Sequence, residues 1–123
     1  MSSPPAIRAI GTLEPEALSA IRDAVLRHVD PLLVVLFGSQ ATGTAHAGSD
    51  VDVLVIDTQG FGPARSRRRL IGAIRRAIPP YRSPVDVLLF DADEMRRWRN
   101  TTNHVIARAL EEGVVLYERP GAR

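Results

Sequence analysis

Two short groups of residues in the first half of the chain have the types and spacing to do chemistry together. Gly38-Ser39 ends an apolar run, and after ten further residues Asp50-Val51-Asp52 opens a second one. A third carboxylate, Asp86, lies near the start of a later apolar run. Carboxylate oxygens suit Mg²⁺ or Mn²⁺, and a glycine lets the backbone approach a phosphate closely. These residues therefore indicate phosphoryl transfer at a divalent metal site, with the Ser39 hydroxyl as a further donor.

The apolar runs predict the strands that must position these residues. Short apolar runs at 32–37, 51–56 and 85–90, and a last one at 114–117, are typical of strands. The run at 51–56 is apolar on both faces, so we expect a central strand that is covered on both sides.

The connections between the strands predict their directions. A helix between the second and third strands makes a crossover, and crossovers join parallel strands. The loop between the first and second strands is too short for a helical crossover, so we expect that pair to be antiparallel. Gly38-Ser39, Asp50, Asp52 and Asp86 would then all lie at one edge of the sheet.

Helical spacing and breaker residues complete an α/β fold, a small mixed sheet flanked by helices in a single domain. Helices are predicted from Thr12 or Glu14 to about Asp30, from Pro63 to Pro79, from Asp91 or Asp93 through Trp98, and over 105–110, with a brief helical turn possible within 38–49. We predict a flexible N-terminal arm at 1–11, the domain at 12–118 and a frayed C-terminal tail at 119–123.

The paired aspartates limit what the site can be. Asp50 and Asp52 leave the same face of a strand and repel each other strongly unless a cation lies between them. Two ions could clamp the attacking and leaving oxygens of a phosphoryl displacement, and Asp86 could hold one ion and accept the attacking hydroxyl's proton. A lone Asp-x-Asp is usually a surface pair, and the combination with Gly-Ser and a later strand aspartate is what favours a metal site.

Composition limits the class of protein. The chain has 123 residues, 45% of them hydrophobic, which fits one folded domain. It has no cysteine, and no apolar run approaches the roughly 20 residues that span a bilayer, so we expect a cytoplasmic protein.

The positive charge is concentrated in one arginine block. The sequence has no acidic residue between Asp57 and Asp86, whereas seven arginines fall there: Arg65, Arg67, Arg68, Arg69, Arg75, Arg76 and Arg82. The block is either a solvated helix face or an attractor of phosphates or of an acidic protein. Direct nucleic-acid binding is not expected, because aromatic residues are scarce among the arginines.

The Gly-Ser, ten-residue, Asp-x-Asp arrangement resembles the nucleotidyltransferase superfamily related to DNA polymerase beta. The short length and the segment "VDVLLFDADEMRRWRNTTNHVIARALEEGVVLYE" are most similar to the minimal nucleotidyltransferases, the antitoxins of HEPN-domain toxins. The resemblance covers about residues 14–118 and implies the polymerase beta-like fold.

The resemblance also implies roles for individual residues. Gly38 and Ser39 would bind the triphosphate of ATP, while Asp50, Asp52 and Asp86 would ligate Mg²⁺, with Mn²⁺ possible and two ions expected. The reaction would transfer AMP to a tyrosine of a HEPN ribonuclease toxin. Asp86 would also be the candidate base.

One departure from the family pattern keeps alternatives open. Many relatives read Gly-Ser-Arg-Ala-Arg-Gly, whereas this chain has Gln40 and Thr42 in place of the two arginines. The chain could therefore be an inactive antitoxin that acts by binding alone. Transfer to a small molecule such as an aminoglycoside is a further alternative, although it usually needs an additional domain.

A chain this short leaves little room for an acceptor pocket, so we expect a second chain, either another copy or a different protein, to supply it. The predicted helices around Met95, Trp98 and the neighbouring arginines are a candidate docking surface, although Trp98 could equally be a core residue. His104 is expected at the surface or in that interface.

Overall fold

The computed structural model describes residues 7–80 and 83–121 as a four-stranded sheet between two helical layers. In chain order the elements are α1 (Pro15–His28), β1 (Pro31–Phe37), α2 (Ser39–Thr42), β2 (Val51–Asp57), α3 (Arg67–Ala77), β3 (Val85–Asp91), α4 (Ala92–Trp98), α5 (Val105–Glu112) and β4 (Val114–Glu118). The predicted small mixed sheet flanked by helices is confirmed.

The strand directions are those that the connection lengths predict. The order in the sheet is β3-β2-β1-β4, with β2 parallel to β3 and antiparallel to β1, and β4 antiparallel to β1. Strand β2 is internal, as its two apolar faces predict. The start of β2, the start of β3 and the end of β1 consequently lie at the same edge of the sheet, which we call the aspartate edge.

Each face of the sheet is covered by its own pair of helices. Alternate β2 residues Val51, Val53 and Val55 pack with α1 and α3 in one apolar cluster, whereas Leu54 and Ile56 pack with α4 and α5 in a second. The period-two alternation of a strand separates the two clusters. No helix in the described part of the chain is long and apolar enough to cross a membrane.

The start of one predicted helix needs correction, and the start of another is confirmed. Helix α3 begins at Arg67 and not at Pro63, because Gly62 and Arg65 exchange two backbone hydrogen bonds of 3.0 Å that close a turn before it. Ser66 then caps the helix by accepting a hydrogen bond from the Arg69 N–H at 3.2 Å. Helix α4 starts as predicted, with Asp91 and Glu94 forming a capping box.

Parts of both chain ends contact the rest of the fold within the residues that the structure describes. Ile7 and Ile10 of the expected N-terminal arm pack against the first cluster, while residues 1–6 lie outside the described residues. In the expected C-terminal tail, the Arg119 N–H donates to the Leu32 carbonyl at 2.9 Å, and its guanidinium pairs with Asp30 at 3.0 Å. Residues 122–123 also lie outside the described residues.

A buried ion pair closes the edge opposite the aspartates. Asp57, the last residue of β2, has a fully buried side chain that accepts a hydrogen bond from the Arg65 guanidinium. Arg65 also donates to the carbonyls of Gln59 and Gly60, at 3.0 and 3.2 Å. The connection from β2 to α3 is therefore fastened to the end of the strand that starts at the aspartate edge.

Removing the arginine of this pair should cost far more stability than removing a surface arginine. Arg65→Met leaves Asp57 buried without its counter-charge, and we expect the free energy of unfolding to fall by about 3–5 kcal/mol. Urea denaturation followed by circular dichroism measures the change.

Arg119→Met is the matched control, because the Arg119–Asp30 pair has side-chain exposures of 43% and 60%. Its loss should lower the free energy of unfolding by no more than about 1 kcal/mol. Equal losses in the two variants would contradict a structural role for the buried pair.

Candidate functional site

The three aspartates predicted to meet do lie at the same edge and on the same face of the sheet. Asp52 is the register partner of Asp86 on parallel strand β3 and of Phe37 on antiparallel strand β1. Asp50 comes directly before β2, two positions before Asp52, and so shares its face. Asp50 and Asp86 are exposed, while Asp52 is half-buried between its neighbours.

Gly38 lets the end of β1 approach the Asp52 carboxylate. Its φ of 77° lies in the region that glycine tolerates. A Cβ at this position would lie 2.6 Å from Asp52 Oδ2, closer than non-bonded atoms approach. The sequence places a glycine here for two physical reasons: the backbone conformation and the space that the carboxylate occupies.

The surroundings of Asp52 disfavour its charged form. Partial burial raises the pKa of the Asp52 carboxyl, and the neighbouring charges of Asp86 and Asp50 raise it further. A cation beside Asp52 would offset this penalty by attracting the charged carboxylate and neutralising the repulsion. A positive charge bound among the three carboxylates would therefore stabilise their ionised forms.

The donor set fits a hard divalent ion that retains other ligands. In the described part of the chain, no group of three acidic, histidine or cysteine side chains forms a ready-made metal cage. Magnesium characteristically binds through one or two carboxylates, with water and substrate phosphates filling the other positions. Asp50, Asp52 and Asp86 could hold such an ion, and the exposure of Asp50 and Asp86 leaves those two carboxylates accessible to it.

Helix α2 and the loop after it connect Gly38 to Asp50. The Gly38 carbonyl accepts hydrogen bonds from the Ala41 and Thr42 N–H groups, at 3.0 and 3.1 Å, which makes Ser39–Thr42 a single helical turn. The exposed His46 donates its N–H to Ser49 Oγ at 2.9 Å, which closes a second turn just before Asp50. A brief helical turn in this segment is what the sequence predicted.

The two residues that replace the family's arginines have different surroundings. Thr42 is exposed, and its hydroxyl donates to the Gly38 carbonyl at 3.3 Å. Gln40 is 1% exposed and binds Thr12 in the segment before α1. The sequence could not locate this contact, because its partners are 28 residues apart.

Two arginines of the block form contacts away from the aspartate edge. Arg65 pairs with Asp57, and Arg67 pairs with Glu94 at 3.1 Å while its guanidinium lies 4.6 Å from the centroid of the Phe61 ring. These contacts are at the edge opposite the aspartates, about 16 Å along β2 from Asp52. Arg82 lies outside the described residues.

The expected docking residues on α4 are largely part of the fold. Met95 is buried, and the Trp98 ring stacks on the His104 ring with 4.7 Å between centroids and 5° between planes. His104 Nδ1 also accepts a hydrogen bond from the Ile106 N–H at 3.1 Å and caps α5. His104 is half-buried, and these two contacts give its ring a structural role. Its place in an interface stays a prediction.

The sequence matches one protein family over most of its length. The family described as the nucleotidyltransferase domain matches residues 18–115, which include β1, the Gly-Ser turn and all three aspartates. The chain belongs to the nucleotidyltransferase domain family. No curated protein is detectably similar in sequence.

Solved structures share the fold at low sequence identity. A putative nucleotidyltransferase from Sulfolobus solfataricus is 22% identical, with a TM-score of 0.53 over 86% of this chain and 84% of that one. A toxin–antitoxin structure with AMP-PNP is 21% identical, with a TM-score of 0.55 over 83% of this chain and 73% of that chain. The structure of a tri-AMPylated HEPN toxin of Shewanella oneidensis in complex with an MNT antitoxin is 17% identical. Its TM-score is 0.53 over 85% of this chain and 72% of that chain.

Replacing Asp52 by an uncharged isostere should stabilise the metal-free protein. Because the folded-state pKa is raised, ionised Asp52 destabilises the fold, and stability falls as pH rises through the interval above the ordinary aspartate pKa. At pH 7 we expect Asp52→Asn to increase the free energy of unfolding, by no more than about 1 kcal/mol because partial exposure screens the repulsion. Urea denaturation without divalent ions measures the gain, which should vanish at about pH 3.

Asp93→Asn is the control, since it removes an equally charged carboxyl from the surface of α4. Asp93 pairs with Arg96, so its loss should be neutral or slightly destabilising. A gain from Asp93→Asn as large as that from Asp52→Asn would show that general charge, and not the aspartate edge, is responsible.

Proposed function

We propose that the chain is a metal-dependent nucleotidyltransferase that acts as an antitoxin. It transfers AMP from ATP to a tyrosine hydroxyl of a cognate HEPN ribonuclease toxin and releases pyrophosphate. The observation that carries the proposal is the meeting of Gly38 with Asp52 and Asp86 at one sheet edge, in a chain of the nucleotidyltransferase family. The similar fold of an antitoxin that accompanies a tri-AMPylated HEPN toxin supports the choice of acceptor.

In this proposal the chain's own residues orient the reactants. Gly38 and Ser39 hold the triphosphate, while Asp50, Asp52 and Asp86 hold Mg²⁺, with two ions expected and Mn²⁺ as an alternative. When bound, the ions neutralise charge that develops on the phosphate oxygens during the displacement. The raised pKa of Asp52 is consistent with a carboxyl that needs this positive charge.

The proposed transfer is a single displacement at the α-phosphorus of ATP. The acceptor oxygen forms a bond to the α-phosphorus while the bond from the α-phosphorus to the bridging oxygen of the β-phosphate breaks. Pyrophosphate leaves with those electrons, and the proton of the acceptor hydroxyl passes to the Asp86 carboxylate. Asp86 is exposed, which leaves it accessible to a hydroxyl brought in by a second protein.

Removing the paired aspartates should abolish transfer without unfolding the chain. With ATP labelled at the α-phosphate, Mg²⁺ and a cognate HEPN toxin, we expect label on a toxin tyrosine. Asp50→Ala/Asp52→Ala should reduce labelling by at least about a thousandfold, because the groups that position the metal ions are lost. Gel autoradiography and mass spectrometry of the toxin measure the product.

The matched control removes two carboxylates elsewhere, in Asp23→Ala/Asp93→Ala, and should label the toxin normally. The same proteins should be tested for relief of toxicity in cells. Toxin neutralisation that survives Asp50→Ala/Asp52→Ala would show that the chain acts by binding alone, and the proposed reaction would then be wrong.

A further inference from the structure

Gln40, the residue directly after the Gly-Ser pair, is held by Thr12 through three hydrogen bonds. The Thr12 N–H donates to Gln40 Oε1 at 2.9 Å, and the Thr12 hydroxyl donates to the same oxygen at 3.1 Å. Gln40 Nε2 in turn donates to Thr12 Oγ1 at 2.9 Å. Both polar ends of the amide are thereby satisfied within a side chain that is 1% exposed.

Gly11 makes room for this contact. A Cβ at Gly11 would lie 2.4 Å from Gln40 Oε1 and 2.8 Å from the Gln40 carbonyl oxygen, and φ there is 58°. The chain before α1 therefore runs directly against the backbone and the side chain of Gln40. A larger residue at position 11 would push the two segments apart.

The segment that holds Gln40 is itself anchored to the core. Ile10 and Leu13 exchange two backbone hydrogen bonds of 3.0 and 2.9 Å, which form a tight turn around Gly11-Thr12. Leu13 is buried, and Ile10 packs against the apolar cluster beneath α1. Thr12 is consequently a fixed point against which α2 can be positioned.

Helix α2 has few other restraints. It is one turn of four residues, and Gln40 is its only buried residue. The loop that follows it is mostly exposed from Thr42 to Gly48. The contact between Gln40 and Thr12 is therefore the principal side-chain restraint on the turn that begins with Ser39.

We propose that Gln40 is a positioning residue. Through its hydrogen bonds to Thr12, it holds the Gly38-Ser39 turn in the conformation that binds the phosphates of the nucleotide. The inference rests on the proposed function, and it gives the segment before α1 a part in nucleotide affinity. Gln40 then supports the turn, and its role differs from that of an arginine that binds a phosphate directly. An arginine there would have to bury its charge against Thr12 or displace the turn.

Variants at both ends of the contact test the inference through nucleotide affinity. Gln40→Met and Thr12→Val should each weaken binding of a non-hydrolysable ATP analogue with Mg²⁺ by about tenfold, equivalent to about one net hydrogen bond. Thr12→Ser keeps the hydroxyl and should restore affinity to within about twofold of the unmodified chain. Isothermal titration calorimetry measures the dissociation constants at a temperature where each variant is folded.

Thr58→Val is the matched control for a general loss of stability. The Thr58 hydroxyl donates to the Asp30 carbonyl at 2.9 Å at the edge opposite the aspartates. Its loss should lower the melting temperature as Thr12→Val does while leaving the dissociation constant unchanged. A weakening in Thr58→Val equal to that in Thr12→Val would overturn the inference.

Gln40→Arg separates the inference from the alternative that position 40 contacts the nucleotide. Positioning predicts weaker binding of the analogue, whereas a phosphate ligand predicts tighter binding, and the tighter result would overturn the inference. Unchanged affinity in Gln40→Met would overturn it as well. No binding by the unmodified chain would instead remove the proposed function and the inference together.

Discussion

Three carboxylates at one edge of a sheet repel each other, and this repulsion is the constraint around which the site is organised. Asp52 lies between β1 and β3, so its carboxylate has Asp86 in register on one side and the end of β1 on the other. The folded chain tolerates the repulsion because Asp50 and Asp86 remain in water, where their charges are screened. A bound cation would turn the same arrangement from a cost to the fold into a source of affinity.

The rest of the molecule keeps the ends of the strands in place. Apolar layers on both faces fix β2, and the buried Asp57 with Arg65 fastens its far end. Gly38 brings the end of β1 against Asp52, and Gln40 ties the turn that follows to the segment before α1. The carboxylates and the Gly-Ser turn are thereby held by different elements, which can be altered separately.

The sequence predicted the features that depend on local pattern. Short apolar runs located the strands, and connection lengths determined their directions, which is why the aspartates could be placed at one edge in advance. The features it could not predict depend on contacts between distant segments. The sequence alone relates Gln40 only to the arginines of the family pattern, and the fold is what brings it to Thr12. Pro63 was a plausible helix start, but the Gly62–Arg65 turn delays α3 to Arg67, and His104 became structural through stacking on Trp98.

The most direct test of the central claim is a crystal structure with Mn²⁺ and a non-hydrolysable ATP analogue, with the metal located by its anomalous signal. We expect manganese to be ligated by Asp50 and Asp52, with the phosphates of the analogue against Gly38 and Ser39. Phosphates bound along the arginines of α3, or a nucleotide complex with no manganese at the aspartate edge, would contradict the claim.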